Sequence, residues 1–389
     1  MPAVNFRRFS KPEVLSTVEP RLLLRLLSRH EDYFSSRGCA LSINGNGCLN
    51  YSGIIETLLS PDQRMPGDLI DTLYFTHELA TPKGLDAILG ALGNGHAAQY
   101  RNLTPLDAAI RTYLDAPETF EQVYRQSKVF RRRSFVYFKA FAALIYPQEI
   151  PPKLLAKLEK VFSEYYVSRG RGSYCRISVF RQDKELWFTV RHGDPFQREV
   201  DVEDPNRASY VFRPERYSTV VLDVGCGELR VNASTEHEEE MCRRCIGSHL
   251  FGTEDAFGHV EKFSLSPIVA DGLACTAVSD IDGLRSARLT EVKFKTLNSI
   301  DENRKAPDLF AMASVAELIP EGASLFQATF RLKFKHARQS RCITIRTPNA
   351  ATYTHDSDTE MVRQWLAARG ISKEGKEIVR AAGSQLKLC

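Results

Sequence analysis

From Pro20 to about Gly93, apolar residues recur at intervals of three and four, the spacing that lines one face of an α-helix. Pro20 opens a helix expected to end at Gly38, and further helices are expected to begin near Tyr51, Gly67 and Thr81. Thr104 and Pro105 read as a cap and a first-position proline, with Asp107 in the first turn. The same spacing predicts a helix from about Pro117 to Tyr146. Prolines 147, 151 and 152 interrupt it, and helical spacing resumes over Lys153 to Val167.

Beyond Arg169-Gly170-Arg171-Gly172, read as a linker, apolar residues alternate with polar ones, as in Cys175, Ile177, Val179 and in Leu186, Phe188, Val190. Further strands are expected at Gln197–Val202, Ser209–Arg213, Ser218–Asp223, Glu228–Asn232, Leu289–Lys295, Phe326–Lys335 and Cys342–Arg346. Helices are expected from about Thr235 to Phe251, over Asp308–Leu318, and from about Thr359 to Arg369. In the first of these, Thr235 and Glu238 fit a capping box, and Glu239/Arg243 and Glu240/Arg244 are acid-to-base pairs four apart. Gly252 and Gly370 can close helix ends.

The fold class is therefore α+β. An N-terminal helical domain (1–168) precedes a mainly antiparallel β-rich domain (173–258) and an α+β domain (259–389) with interspersed helices, whose basic hairpin suggests a winged-helix-like unit at the end.

Composition narrows the function classes. A hydrophobic fraction of 43% and a charged fraction of 26% suit a packed globular chain. The net charge of +4 arises from 52 basic against 48 acidic residues, too even a balance to imply a polyanionic partner. No apolar run reaches the roughly 18–20 residues that span a bilayer, and the N-terminus has no apolar signal-peptide core. Nine cysteines, an odd number on a long chain, read as reduced thiols in a cytoplasmic protein.

Val221-Leu222-Asp223-Val224-Gly225-Cys226-Gly227, preceded by Val220, resembles motif I of S-adenosylmethionine-dependent methyltransferases. The resemblance implies a strand ending in an acidic residue and a glycine turn that approaches the cofactor, with Asp223, Gly225 and Gly227 as cofactor-binding residues. Leu229 and Val231 alternate with Arg230 and Asn232, so a β-hairpin turned by the glycines accounts for the same residues.

Cys242, Cys245 and His249 share a helix face on which a metal is conceivable, but no second CxxC accompanies them, and small buried core cysteines are the better account. No metal site is assigned. Asp282 with Glu291-Val292-Lys293 is similar to the acidic and ExK elements of metal-dependent nucleases. A strand face of alternating charge is the alternative. There is no GxSxG elbow, Walker A loop, HExxH or kinase motif set.

The remaining signal is local charge. Arg331, Lys333 and Lys335 alternate with Phe330, Leu332 and Phe334, Lys293 and Lys295 with Val292 and Phe294, and Arg346 with Ile343 and Ile345. The intervening turn adds His336, Arg338 and Arg341, and no acid occurs between Leu325 and Arg346. A second acid-free stretch places Arg125, Lys128, Arg132 and Lys139 on one side of the expected Pro117–Tyr146 helix. The twelve lysines and arginines named here, His336 aside, form the candidate nucleic-acid-binding set. The expected function is a non-catalytic nucleic-acid-binding or adaptor protein that grips a phosphate backbone with a basic sheet face. Its partner is DNA rather than RNA, or an acidic protein, with no membrane, cofactor or small-molecule ligand. A methyltransferase or metal-dependent nuclease is the enzymatic alternative, and a solvated face kept positive against edge pairing is the structural one.

Overall fold

The computed structural model describes residues 9, 11–45, 47, 49–62, 64–97, 99–100, 102–129, 132–141, 144, 146–147, 149–199, 209–335, 337, 340–354 and 358–373. The chain divides into two compact units, Met1–Phe130 and Arg131–Cys389.

The first unit is helical among its described residues, with α1 (Pro12–Leu15), α2 (Pro20–Leu27), α3 (Glu31–Ser36), α4 (Tyr51–Leu59), α5 (Gly67–Leu79), α6 (Pro82–Ala97), α7 (Pro105–Asp115) and α8 (Pro117–Val129). The expected Thr104 cap forms, its Oγ1 accepting from Asp107 N (3.1 Å), and α2 gains a cap that was not anticipated, the Glu19 carboxylate accepting from Leu22 N (3.1 Å). Leu22, Leu23, Leu26 and Leu27 turn inward onto one core with Leu69, Leu73, Ile110 and Phe120. The single helix expected from Pro20 to Gly38 is broken by a tight turn over Ser28–His30, which buries His30.

The second unit contains β1 (Arg132–Ala140), α9 (Pro152–Ser168), β2 (Cys175–Gln182), β3 (Glu185–Gly193), β4 (Gln197–Glu199), β5 (Tyr210–Phe212), β6 (Glu215–Asp223), β7 (Glu228–Asn232), α10 (Glu236–Phe251), β8 (Phe257–His259) and α11 (Ser266–Ala270). It continues with β9 (Leu284–Lys295), β10 (Asp301–Lys305), α12 (Leu309–Met312), α13 (Val315–Leu318), β11 (Ser324–Phe334), β12 (Arg341–Arg346), β13 (Ala350–Thr354) and α14 (Thr359–Ala368). One antiparallel sheet runs β10-β9-β11-β12-β13-β1-β7-β6-β3-β2, with β8 on β1. The architecture is α+β, helices first and sheet after.

Three expectations are corrected. The Pro117–Tyr146 helix stops at Val129, and Arg132–Ala140 is a strand in the middle of the sheet. Strands from both anticipated C-terminal domains join this sheet, so the boundary near 258 falls inside one unit, and the helical unit ends near 130 instead of 168. The β11–β12 hairpin lies within the large sheet, between β9 and β13.

One row of paired residues crosses all ten strands: Asn303, Lys293, Gln327, Arg346, Ala350, Val136, Val231, Val220, Phe188 and Val179. Directly paired residues point to the same side of a sheet. From Val136 to Val179 this side is apolar and packs with Leu158 and Phe162 of α9 and Cys242 and Ile246 of α10. From Ala350 back to Asn303 it turns polar and basic. On the other side Phe330 meets Trp365 of α14, ring centroids 5.1 Å apart, so there the core continues under β11.

Candidate nucleic-acid interface

Strand alternation carries Lys293, Lys295, Arg331, Lys333, Lys335 and Arg346 to the polar side of β9, β11 and β12, while Val292, Phe294, Phe330, Leu332, Phe334, Ile343 and Ile345 are buried on the other. Arg331, Lys295, Lys335 and Arg346 are exposed, and Lys293 and Lys333 are half-buried. Pairing adds Arg288, which lies opposite Arg331. It was missed because β9 starts at Leu284, five residues before the alternation becomes regular at Leu289. Thr329 and Thr344 face each other between the basic residues, hydroxyls 3.0 Å apart, giving the basic side a hydrogen-bonding floor.

The charges on this side are partly balanced. Lys335 Nζ donates to Asp282 Oδ1 (2.8 Å), Lys293 Nζ is 3.9 Å from Glu291 Oε1, and Arg288 Nε is 3.7 Å from Asp308 Oδ2. Arg346 donates to Ser134 Oγ (2.5 Å) at the margin where the sheet passes beneath α10. There burial, with Glu236 alongside, pushes the Glu239 carboxyl up to about 7 against the pull of Arg346.

Other members of the set fall elsewhere. Arg341 turns away, ion-pairing with Asp358 (2.6 Å) and lying over the Phe334 ring. Arg125 belongs to the first unit and pairs with Glu121 on its own helix; Lys139 belongs to the second and donates to the Cys226 carbonyl (2.7 Å). Arg338, His336 and the side chains of Lys128 and Arg132 lie outside the described residues. The basic helix stripe is thus not formed, because it required one helix where the chain has a helix and a strand.

The glycine-rich string closes a hairpin. β6 and β7 pair antiparallel across it, Asp223 Oδ1 accepts from Gly225 N (2.9 Å) and Cys226 N (3.3 Å), and Gly227 takes a φ of +66°. A methyltransferase cofactor loop would open a helix, so the resemblance of Asp223, Gly225 and Gly227 to motif I ends at the sequence. Cys242 and Cys245 are buried in the core, where desolvation raises both thiols, Cys245 to about 11. His249 Nδ1 is 3.0 Å from the Cys245 carbonyl. Among the described residues, no three His, Cys, Asp or Glu side chains converge as metal ligands would. Asp282 of the nuclease-like set is held by Lys335.

Sequence reasoning missed a buried polar cluster. Glu238 of α10 is fully buried; its Oε1 accepts from Ser218 Oγ (2.5 Å) and Tyr166 OH (2.9 Å), and its Oε2 from Arg171 Nη1 (2.9 Å). His192 stacks on Tyr166 with centroids 3.9 Å apart, its Nε2 3.5 Å from Glu238 Oε1. Burial opposes ionisation of Glu238, but these donors outweigh it and hold the carboxyl below its usual range. Burial lowers His192, whose Nδ1 donates to the Gly193 carbonyl (2.9 Å). Thr235 caps α10 as expected, but Glu238 sends its carboxylate inward, where besides these partners it accepts from Ser234 N (3.3 Å).

The sequence matches no protein-family model, and no curated protein is significantly similar to it. No helix among the described residues is long and apolar enough to cross a membrane.

Proposed function

We propose that this chain is a non-catalytic nucleic-acid-binding or adaptor protein that grips a phosphate backbone with the basic side of β9, β11 and β12. The observation that supports it is the row from Asn303 to Val179: one sheet side is apolar where α9 and α10 cover it and basic where long cationic side chains face solvent. A sheet side left polar for solubility alone needs no such sign bias. Cationic side chains at strand spacing match repeated phosphates, and each contact releases a counterion.

The partner in this reading is DNA in preference to RNA. None of the seven described cysteines forms a disulfide, which fits the cytoplasmic setting of this reading. The test is fluorescence polarisation with duplex DNA and with RNA of the same sequence, comparing the parent chain with the Lys293→Glu/Arg331→Glu/Lys333→Glu variant. Affinity is expected to fall at least about a hundredfold with circular dichroism unchanged. Unaltered binding, or capture of an acidic protein that survives nuclease treatment while neither nucleic acid binds, overturns the reading.

A further inference from the structure

At the far edge of the same sheet, where β3 ends beside β2, a cleft of about 490 Å³ is lined by Arg171, Tyr174, Arg191, His192 and Arg213. Two glycines shape it. A Cβ at Gly193 would stand 2.6 Å from the Arg171 carbonyl oxygen, a clash with backbone, while Gly172 takes a φ of +84° that favours glycine and a Cβ there would crowd Arg213 Nε at 3.1 Å. Arg171 is anchored behind the cleft by the buried Glu238. Arg213 donates to the Gly170 carbonyl, and its Cζ lies 3.7 Å from the centre of the Phe196 ring. Arg191 pairs with Glu215, and its Cζ lies 5.3 Å from the centre of the Tyr174 ring. Tyr174 and Phe196 expose 51% and 62% of their surface.

Three guanidinium groups face one lining carboxylate, and two exposed aromatic rings stand against two of those guanidiniums. Arginine forks suit phosphate oxygens, and an exposed aromatic ring offers a stacking surface to any base. We propose that this cleft binds a nucleoside phosphate, with the phosphate at Arg213 and Arg171 and the base on Tyr174. The ligand class departs from the expectation of no small-molecule partner. It is independent of the basic sheet side, which lies at the other end of the strand order. The ligand is a free mononucleotide or the terminal nucleotide of a strand.

Isothermal titration calorimetry of the full chain with AMP, adenosine and inorganic phosphate tests it, alongside a short oligonucleotide with and without a 5′-phosphate. AMP is expected to bind saturably, with adenosine and inorganic phosphate each at least about tenfold weaker. Tyr174→Ala, an exposed position that leaves the core intact, and Arg213→Gln should each weaken AMP at least about tenfold. A 5′-phosphate that also strengthens the oligonucleotide in a Tyr174-dependent way identifies a strand end as the ligand; a phosphate effect on AMP alone identifies the free nucleotide. Absence of AMP binding, AMP binding no tighter than inorganic phosphate, or AMP binding unchanged in Tyr174→Ala overturns the proposal. Since AMP carries one phosphate and the sheet side is read with long duplexes, either proposal can fail without the other.

Discussion

Arg171 donates from Nη1 to Oε2 of Glu238 across 2.9 Å, and the carboxylate it reaches has no solvent exposure. The two residues are 67 positions apart, joined because the turn after α9 folds Arg171 back, its N–H bonded to the Tyr166 carbonyl (2.8 Å) with Gly170 at a φ of +70°. Removing one partner of a buried pair strands the other charge. Arg171→Met should therefore lower unfolding free energy by about 3 kcal/mol. The urea midpoint checks this, and a variant within about 0.5 kcal/mol of the parent would show that the pair contributes little.

Arg230 is another buried charge, with no exposed side-chain surface, ion-paired to Glu185 and lying over the Phe135 and Trp187 rings. Arg363 of α14 reaches the same Glu185 oxygen (3.0 Å). A lysine cannot lay a planar guanidinium against the two rings while it pairs with Glu185. Arg230→Lys should destabilise by at least about 1 kcal/mol despite keeping the charge, measured as a drop in Tm.

Two neighbouring carboxyls should bend the stability profile in opposite directions. Glu238 is held below its ordinary 4.5, so its contribution is present above that pH and is lost as pH falls through the folded value. Glu239 is raised to about 7, so folding favours its protonated form; stability is greatest below 4.5 and declines as pH rises toward 7. Glu239→Gln should flatten the decline between about pH 5 and about pH 8. Thermal unfolding at the two pH values reads this directly, and an unchanged difference in Tm would place the titration elsewhere.

The hairpin at Val224–Gly227 makes its own prediction. Gly227→Val forces a β-branched residue to positive φ and should cost at least about 1 kcal/mol. S-adenosylmethionine at saturating concentration should leave the Tm of the parent chain unchanged. A rise in Tm that Asp223→Ala removes would restore the cofactor reading.

How much of this was legible in the sequence depended on which side of an element meets solvent. α10 was readable from its cap, its acid-to-base pairs and its closing glycine, and β9, β11 and β12 because each has one wet side and therefore a clear period. β1 was not: Phe135, Tyr137 and Phe138 are all buried, since a central strand covered on both sides has no alternation to show. β10, with the sequence Asp301 to Lys305, escaped for the opposite reason, as a charged edge strand with no apolar phase. The Arg171–Glu238 cluster left no local signal at all. Glu238 had a sufficient local explanation as a cap residue, and Arg171 looked like linker; only the long-range fold brings them together.

The salt dependence of DNA affinity tests the central claim most directly. For the parent chain, log K should fall linearly with log salt, and the Lys293→Gln/Arg331→Gln/Lys333→Gln variant should show a slope shallower by about 3, near one unit per lost phosphate contact. A slope near zero in the parent, or an identical slope in the variant, would contradict a phosphate grip by this sheet side.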